Sequence, residues 1–526
     1  MLLPNLRALN AVDPSLAKRL IAPVNGDHVA EGPNGPCLKL HREPIPLAVS
    51  AALPADLPEE VHIYGIGLGE QVIAALQAGH SVLAWDRDPL MLRLLLAGCD
   101  LREALESGRL SLLLGADLWG RSEFQSHIEH PVLSQVYTFE RVRQGTPVLI
   151  VPDGLFVADL AQGLLERGFV PWPMLARTVS PEECQHTIDR TGAELVVSVG
   201  YIPGLPEVLA EQGLRHLIWE VDPALDVVSV ASGPVHTTRV FTYRQAHVRA
   251  YQDAGFQVAF RPLCANPSNR RPVALSQSAQ AQFGAPVAFV GASMQETAQR
   301  YRRIVHALLS KAGRAPEGLE HHLAQQAAHP QRFVLMDLVE DAALQVPDLD
   351  LRVLIGEIAA AEQRMGFLQA LLPLGLKVWG DAGFAGLGPA YQGPAGHQHA
   401  VTRIYNAAQV HVDIGRIYQK DIVTMRVFDV LACGGFLVTQ DSPQLRSLFT
   451  PGEHLLAVNT PQEMHDAVAW ALAHPQQAQG IALAGQAHVL AHHTLSHRLD
   501  EMLAPATWET QCTPFSSAAP DALAQL

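Results

Sequence analysis

The sequence predicts an α/β chain of three successive Rossmann-like, doubly wound domains, and three stretches carry that prediction. In the first, residues 61–64 read as a strand running into Gly65-Ile66-Gly67-Leu68-Gly69. A helix over 71–78 follows, and a second strand, 81–85, ends at Asp86. In the second stretch, apolar strands at 146–151, 195–199, 217–220, 240–242 and 258–262 alternate with helical patterns. The third runs from 405 to 458: Val410, Val412 and Ile414 alternate as a strand, and a charged loop with Arg416, Lys420 and Asp421 follows. Residues 425–431 then have helical spacing, stopped by Cys433-Gly434-Gly435, a helix C-cap sequence. A buried strand over 436–439 and the turn Asp441-Ser442-Pro443 complete a strand–loop–helix–strand unit. Ligands of open α/β sheets sit at the edge where that loop and helix start gather.

Composition bounds the rest. A chain of 526 residues has room for about three or four domains. With 48% hydrophobic and 17% charged residues it can build large cores. The net charge of −15 argues against general nucleic-acid binding, which needs a basic footprint, yet leaves room for a local phosphate-binding cluster. Six cysteines (37, 99, 184, 264, 433, 512) show no CxxC spacing and read as reduced, intracellular thiols rather than a disulfide frame or zinc site. No run resembles a transmembrane span, and residues 1–20 lack a signal-peptide core, so a cytoplasmic location is expected.

In chain order, residues 1–55 are Pro-rich and weakly periodic and read as a lead-in to the first domain, 1–145. Its glycine loop has the strand–loop–helix–strand context that nucleotide binding requires. A third strand at 110–114 is followed by Asp117, so Gly65, Gly67, Gly69, Asp86 and Asp117 form a candidate second nucleotide site. Residues 118–145 read as an irregular connector. The second domain, 146–270, opens with the strand 146–151 and the turn Pro152-Asp153-Gly154, then a helix over 156–168. Residues 268–285 read as a linker. The third domain, 286–504, starts with the strand 287–290 and Gly291-Ala292-Ser293, where glycine permits close backbone approach. Residues 295–372 read as a helical insertion, and Lys377-Val378-Trp379-Gly380-Asp381 as a strand ending in an acid. Helices over 461–474 and 488–499 follow, then a loose tail, 505–526.

The run R-x-F-D-x-x-A-C-G-G-F-L-V-T from Arg426, followed by L-F-x-P-G-E-x-L from Leu448, resembles the nucleotide-sugar-binding half of group 1 glycosyltransferases, in particular the CgeB-like (spore-maturation-type) branch. Trp219-Glu220-Val221-Asp222-Pro223 and the segment Arg261 to Pro267 are similar to that branch's W-x-x-D-P element and hinge. The resemblance implies a GT-B fold: two Rossmann-like domains, with the donor held mainly by the C-terminal one. It implies a nucleotide-sugar donor, a UDP-sugar first, and no required metal. Asp421 and Asp429, eight residues apart, stand where those enzymes place two glutamates, one near the transferred sugar and one on the ribose. Arg426, Arg416 and Lys420 become diphosphate cations, Gly291 a turn approaching the phosphates, and Asp381 a donor-binding acid at the end of the element before the base pocket. Asp153 falls where some relatives place a catalytic base. The first domain resembles class I methyltransferases and the Rossmann domains of some flagellin glycosyltransferases, although Ile63-Tyr64 replaces the acid that methyltransferases usually carry before the glycine loop.

Each of these residues also has a plainer role. Asp421 serves equally as a loop acid or helix cap, Lys420 as a solvated charge, and Asn406 as a structural cap. His397-Gln398-His399 and His321-His322 lack a third ligand at ordered spacing, so no metal site is expected. No Gly-x-Ser-x-Gly motif supports a hydrolase triad. The expected function is transfer of a sugar from a nucleotide-sugar to a hydroxyl of a protein or cell-surface glycan. Two alternatives stand behind it: an S-adenosylmethionine-dependent methyltransferase with a degenerate C-terminal half, and a non-enzymatic scaffold of surface-glycan assembly.

Overall fold

The computed structural model describes all residues except 22–28, 33–34, 41–42, 51, 153, 222–234, 335–340, 342–343, 347–348, 396–398 and 505–526. Asp153, His397, Gln398, Asp222 and the tail therefore lie outside the described residues. The chain divides into two compact units, Met1–Arg261 and Pro262–Leu526.

The first unit opens with helices Leu2–Val12 and Pro14–Ile21, then an antiparallel sheet of β1 (Val29–Gly32), β2 (Gly35–Leu40) and β3 (Glu43–Pro46). The described residues of the lead-in thus include regular structure. Its helices are too short for a strong period, but Leu6, Leu9, Leu16 and Leu20 are buried against Leu92 and Leu96. Asn5 fixes the first helix by donating to the carbonyls of Leu96 (2.8 Å) and Cys99 (2.6 Å) and accepting from Leu101 N–H (3.0 Å).

A four-stranded parallel sheet follows, in order β6-β5-β4-β7: β4 is Glu60–Tyr64, β5 Ser81–Asp86, β6 Leu110–Leu114 and β7 Ile128–Glu129. The two-residue β7 lies in the expected connector; a strand that short has no alternation to read. A six-stranded parallel sheet has the order β13-β12-β11-β10-β8-β9. It comprises β8 (Thr146–Val151), β9 (Phe169–Pro173), β10 (Leu195–Val199), β11 (Arg215–Glu220), β12 (Thr238–Thr242) and β13 (Gln257–Phe260). One core serves both sheets, for Trp85 and Leu113 cluster with Leu149 and Trp172, and Trp119 packs edge-on to Trp172 at 5.1 Å. Arg19 adds a polar tie, bonding Asp117 at 2.8 Å and Glu183 at 2.7 Å.

The second unit has a five-stranded parallel sheet in order β15-β14-β16-β17-β18: β14 is Val287–Val290, β15 Leu376–Trp379, β16 Val410–Asp413, β17 Phe436–Gln440 and β18 Leu456–Val458. The three parallel sheets with their helical crossovers are mixed α/β in a Rossmann-like layout, as expected. Between β14 and β15 lie helices Gln295–Lys311, Glu317–Ala327 and Leu351–Leu371, so 295–372 is largely helical. The helix expected over 488–499 is two helices. Pro475–His492 ends, and Thr494 caps Leu495–Leu503 by accepting from His497 N–H while the His497 ring returns to Thr494. Arg498 of the last helix donates to Pro262 O (2.7 Å), and Ala265 pairs with Thr494. Among the described residues no helix is long and apolar enough to cross a membrane.

Candidate functional site

In the second unit the chain leaves β14 for β15 on one side and returns to β16 on the other. That reversal makes a crevice outside the carboxyl ends of β14 and β16. Only Val287–Val410 and Ala288–His411 pair across it, so the strand ends beyond are open to other partners.

Gly291-Ala292-Ser293 leaves β14 at this crevice. A Cβ on Gly291 would stand 2.5 Å from Arg426 Nη2, and one on Gly380 only 2.1 Å from Gly291 O, so glycine at both positions lets turn, strand end and arginine close up. Asp381 locks the turn: it accepts from Ser293 N–H (2.7 Å), Ser293 Oγ–H (2.5 Å) and Gly383 N–H (2.9 Å). Burial acts to raise the Asp381 carboxyl, but the bonds from Ser293 hold it below its usual range. The acid expected to bind the donor is therefore engaged with the turn. Gly380→Ala is expected to cost about 1–3 kcal/mol, because the crowding atom is backbone and cannot swing away; thermal unfolding checks this.

Arg426 stands in the first turn of helix Met425–Ala432, where its guanidinium pairs with Asp413 at the end of β16. Thr439 donates to the same carboxylate at 3.2 Å. Arg426 also lies over the buried Phe289 ring, 5.0 Å from its centroid. The neighbouring pocket is lined by Gly415, Arg416, Lys420, Thr424, Gln440 and Asp441, with Asp413 at its wall. Thr424 Oγ1 and Gln440 Nε2 are buried there without hydrogen-bond partners. Burial depresses the Lys420 amine, against the pull of Asp441. Arg416 bonds Glu357 at 2.5 Å, and Tyr418 donates to the same carboxylate at 2.8 Å. Asp421 is half-buried in this loop, but Lys420 and Ile422 line the pocket and Asp421 does not.

Three residues at the site carry no sequence signal. Asp413 and Glu357 are the carboxylates just described. Arg364, from helix Leu351–Leu371, is 6% exposed and donates to the carbonyls of Ala292 (2.5 Å) and Ile414 (2.6 Å). That helix is buried nearly all round, so its pattern does not single out one arginine.

Asp429 is placed differently from expectation. It is 5% exposed and paired with Arg270 at 3.0 Å, while Arg270 also donates to Thr402 Oγ1 (3.0 Å). Asn406 completes the attachment, accepting from Val273 N–H and donating to Arg271 O. Asp429 thus anchors the expected linker to the helix Met425–Ala432, and its carboxylate is engaged by a cation of the chain itself.

The glycine loop of the first unit is filled by its own side chains. The His130 ring stands where a Cβ on Gly67 would meet it at 2.5 Å, and Leu95 does the same at Gly69. Leu133 lies 3.1 Å from a Cβ built on Gly65. Asp86 is fully buried and accepts from Ile66 N–H (2.7 Å), Asp88 N–H (3.0 Å) and Tyr137 O–H (2.9 Å). Asp117 is held by Arg19, His186 (2.7 Å) and Leu114 N–H (2.9 Å). Both acids of the expected second nucleotide site are thus engaged by donors of the chain itself. Burial, opposed by those donors, pushes Asp86 up to about 7. A carboxyl raised in the folded state keeps its proton between about pH 4 and pH 7, so stability falls as pH rises through that window and is level above it. Asp86→Asn is expected to flatten this part of the slope, read by denaturant unfolding at pH 5 and pH 8.

Among the described residues no group of three or more His, Cys, Asp or Glu could hold a metal. Residues 363–504 match the protein family described as "Glycosyl transferase-like". No curated protein matches the sequence. Among solved structures, the chain is similar to a sucrose-phosphate synthase from Thermosynechococcus elongatus: 14% identity, 69% of this chain and 97% of that one, TM-score 0.38. It is also similar to Anabaena HepE in complex with UDP and glucose, with 11% identity over 69% of this chain and 100% of the other, TM-score 0.38. A MAf glycosyltransferase from Magnetospirillum magneticum AMB-1 shares 13% identity over 51% of this chain and 57% of its own, TM-score 0.20. Likenesses this distant carry no argument about function.

Proposed function

We propose that the protein is a glycosyltransferase of GT-B type, CgeB-like, that transfers a sugar from a nucleotide-sugar, a UDP-sugar first, to an acceptor hydroxyl. The observation that carries the reading is the cationic crevice at the ends of β14 and β16, whose residues Arg416, Lys420 and Arg426 fall within the glycosyl transferase-like region 363–504. Arg416, Arg426 and Lys420 are suited to a diphosphate, and the first turn of helix Met425–Ala432 offers backbone N–H groups. As the bond between sugar and diphosphate breaks, negative charge grows on the leaving phosphate, and fixed cations stabilise that charge more than the ground state. The chemistry then needs no metal, since the side chains supply the positive charge.

In this reading Gly291 gives the phosphates close backbone approach, and Asp421 stands by the transferred sugar. Asp381 and Asp429 act at one remove, by holding the turn and the linker. Asp153, two residues beyond β8, is our choice of base for the acceptor hydroxyl. A protein or cell-surface glycan is the proposed acceptor and the cytoplasm the proposed location. The methyltransferase alternative is set behind this reading because Asp86 and Asp117 are each engaged by donors of the chain itself.

The test is incubation of the protein with UDP-, GDP-, TDP- and CMP-sugars, measuring release of the free nucleotide with and without hydroxyl acceptors. Release from one nucleotide class, reduced in Arg426→Gln, is the expected result. Intact donors under every condition would defeat the proposal.

A further inference from the structure

The corner between helices Pro475–His492 and Leu495–Leu503 is built around histidines. His493 is buried, with its ring 5.5 Å from both Phe428 and Phe449 and 5.2 Å from His488. His488 in turn stacks on His454 at 4.3 Å and lies 5.0 Å from His492. Hydrogen bonds fix the protonation of two of these rings. Arg498 Nη2 is 2.8 Å from His493 Nδ1, and a guanidinium only donates, so that nitrogen accepts and carries no proton. His454 Nδ1 likewise accepts from Thr450 N–H at 3.1 Å. Both rings are therefore neutral in the fold. His488 donates from Nε2 to Leu448 O (2.8 Å), so a second proton on it would charge a ring stacked on His454.

Neutral His493 gives Arg498 its place. Arg498 is 2% exposed, and it donates from Nε to Pro262 O (2.7 Å) and from Nη1 to His492 O (3.3 Å). Pro262 is the first residue of the second unit. Three residues on, Ala265 N–H donates to His493 O (3.0 Å), and Ala265 O accepts from Leu495 N–H (2.8 Å). The segment Pro262–Ala265 is thus tied to the corner by the Arg498 side chain and by a short parallel bridge. A proton on His493 Nδ1 would remove an acceptor from Arg498 and set two cations against each other in a desolvated place.

The other ionisable groups around His493 are His488, His492 and His497, none of which offers a counter-charge. Helix Met425–Ala432 contributes the uncharged Phe428. Glu453 stands 3.7 Å from His454, and Glu501 3.9 Å from Arg498, but both acids are largely exposed and well screened. Burial, then the neighbouring Arg498, push the His493 imidazole down to about 3.

We propose that His493 and Arg498 form a pH-sensitive latch: neutral His493 orients Arg498 onto Pro262 and holds the segment Pro262–Ala265 at the corner, and a proton on His493 releases it. The sign follows from linkage. Once the corner opens, the ring returns to the ordinary histidine range near about 6.5 and binds a proton that the latched form refuses. The latch is therefore complete above about pH 6.5 and weakens as pH falls from there toward 3. One proton of this kind favours opening by about 30-fold at pH 5.0 relative to pH 7.5.

The test is amide hydrogen exchange of the full chain at pH 7.5 and pH 5.0, read by mass spectrometry and corrected for the intrinsic exchange rate. Residues 263–266 and 494–496 are followed, with helix Gln295–Lys311 as the internal reference. Wild type is compared with His493→Gln, which keeps an acceptor for Arg498 but takes no proton, and with Arg498→Met. In wild type the protection of the two segments is expected to fall at least tenfold at pH 5.0, while the reference changes by less than about twofold. His493→Gln should abolish the fall, and Arg498→Met should show low protection of residues 263–266 at both pH values. No fall in wild type, an equal fall in the reference helix, or a fall that persists in either variant would overturn the inference. One folded variant is enough to decide, and the wild-type comparison needs neither.

Discussion

Arg426→Gln is expected to lower nucleoside-diphosphate affinity by about 10- to 150-fold, the range for losing a hydrogen bond to a charged group. The reason is local: Arg426 joins the Gly291 turn, the first turn of helix Met425–Ala432 and Asp413. The substitution also strands the Asp413 carboxylate, 4% exposed, with Thr439 as its remaining described donor. Removing one member of a buried pair costs about 3–5 kcal/mol, so weak binding alone could mean poor folding. Pairing the change with Asp413→Asn separates the two. The double variant is expected to recover much of the stability and none of the affinity, by thermal unfolding and titration on the same samples. Recovery of both would mean that Arg426 serves the fold and not the ligand.

The second large effect concerns Arg270 and Asp429. Either one replaced by alanine leaves the other buried and unpaired, with an expected cost of about 3 kcal/mol. The double variant should be little worse than either single one, because the two changes remove one interaction. Nucleotide affinity, measured on the folded fraction, should change by less than about threefold in all three variants, since the pair acts on the linker. A large, selective loss of affinity in Asp429→Ala with unaltered unfolding would restore Asp429 as a ribose ligand.

The fold was legible where a strand was a short apolar run bounded by glycine, proline or an acid. The runs 146–151, 195–199 and 287–290 coincide with β8, β10 and β14. Legibility failed where elements owe their existence to partners distant in sequence. Helix Leu2–Val12 depends on Asn5 reaching Leu96 and Cys99, and β7 on two residues pairing with β4. The terminal helix break was visible in principle, since Thr494 with His497 three residues on is a capping pattern.

At the site, the structure brings Gly291, Arg416, Lys420 and Arg426, each singled out in the sequence, to one crevice. The sequence could not say that Asp381 and Asp429 are consumed by internal partners, because a carboxylate in a motif reads the same whether it meets a ligand, Ser293 or Arg270. A glycine loop likewise reads the same whether a cofactor or His130 fills it. Arg364 was out of reach altogether. Its significance lies in two carbonyls, Ala292 O after β14 and Ile414 O after β16, neither of which is near it in the chain.

The most direct test of the central claim is calorimetric titration of wild type and Arg426→Gln with UDP, GDP, TDP and CMP. Saturable binding of one nucleotide at one site per chain, lost or weakened at least tenfold in a folded Arg426→Gln, is the result this account predicts. Equal affinity in the two proteins, or no nucleotide bound by wild type, would contradict it.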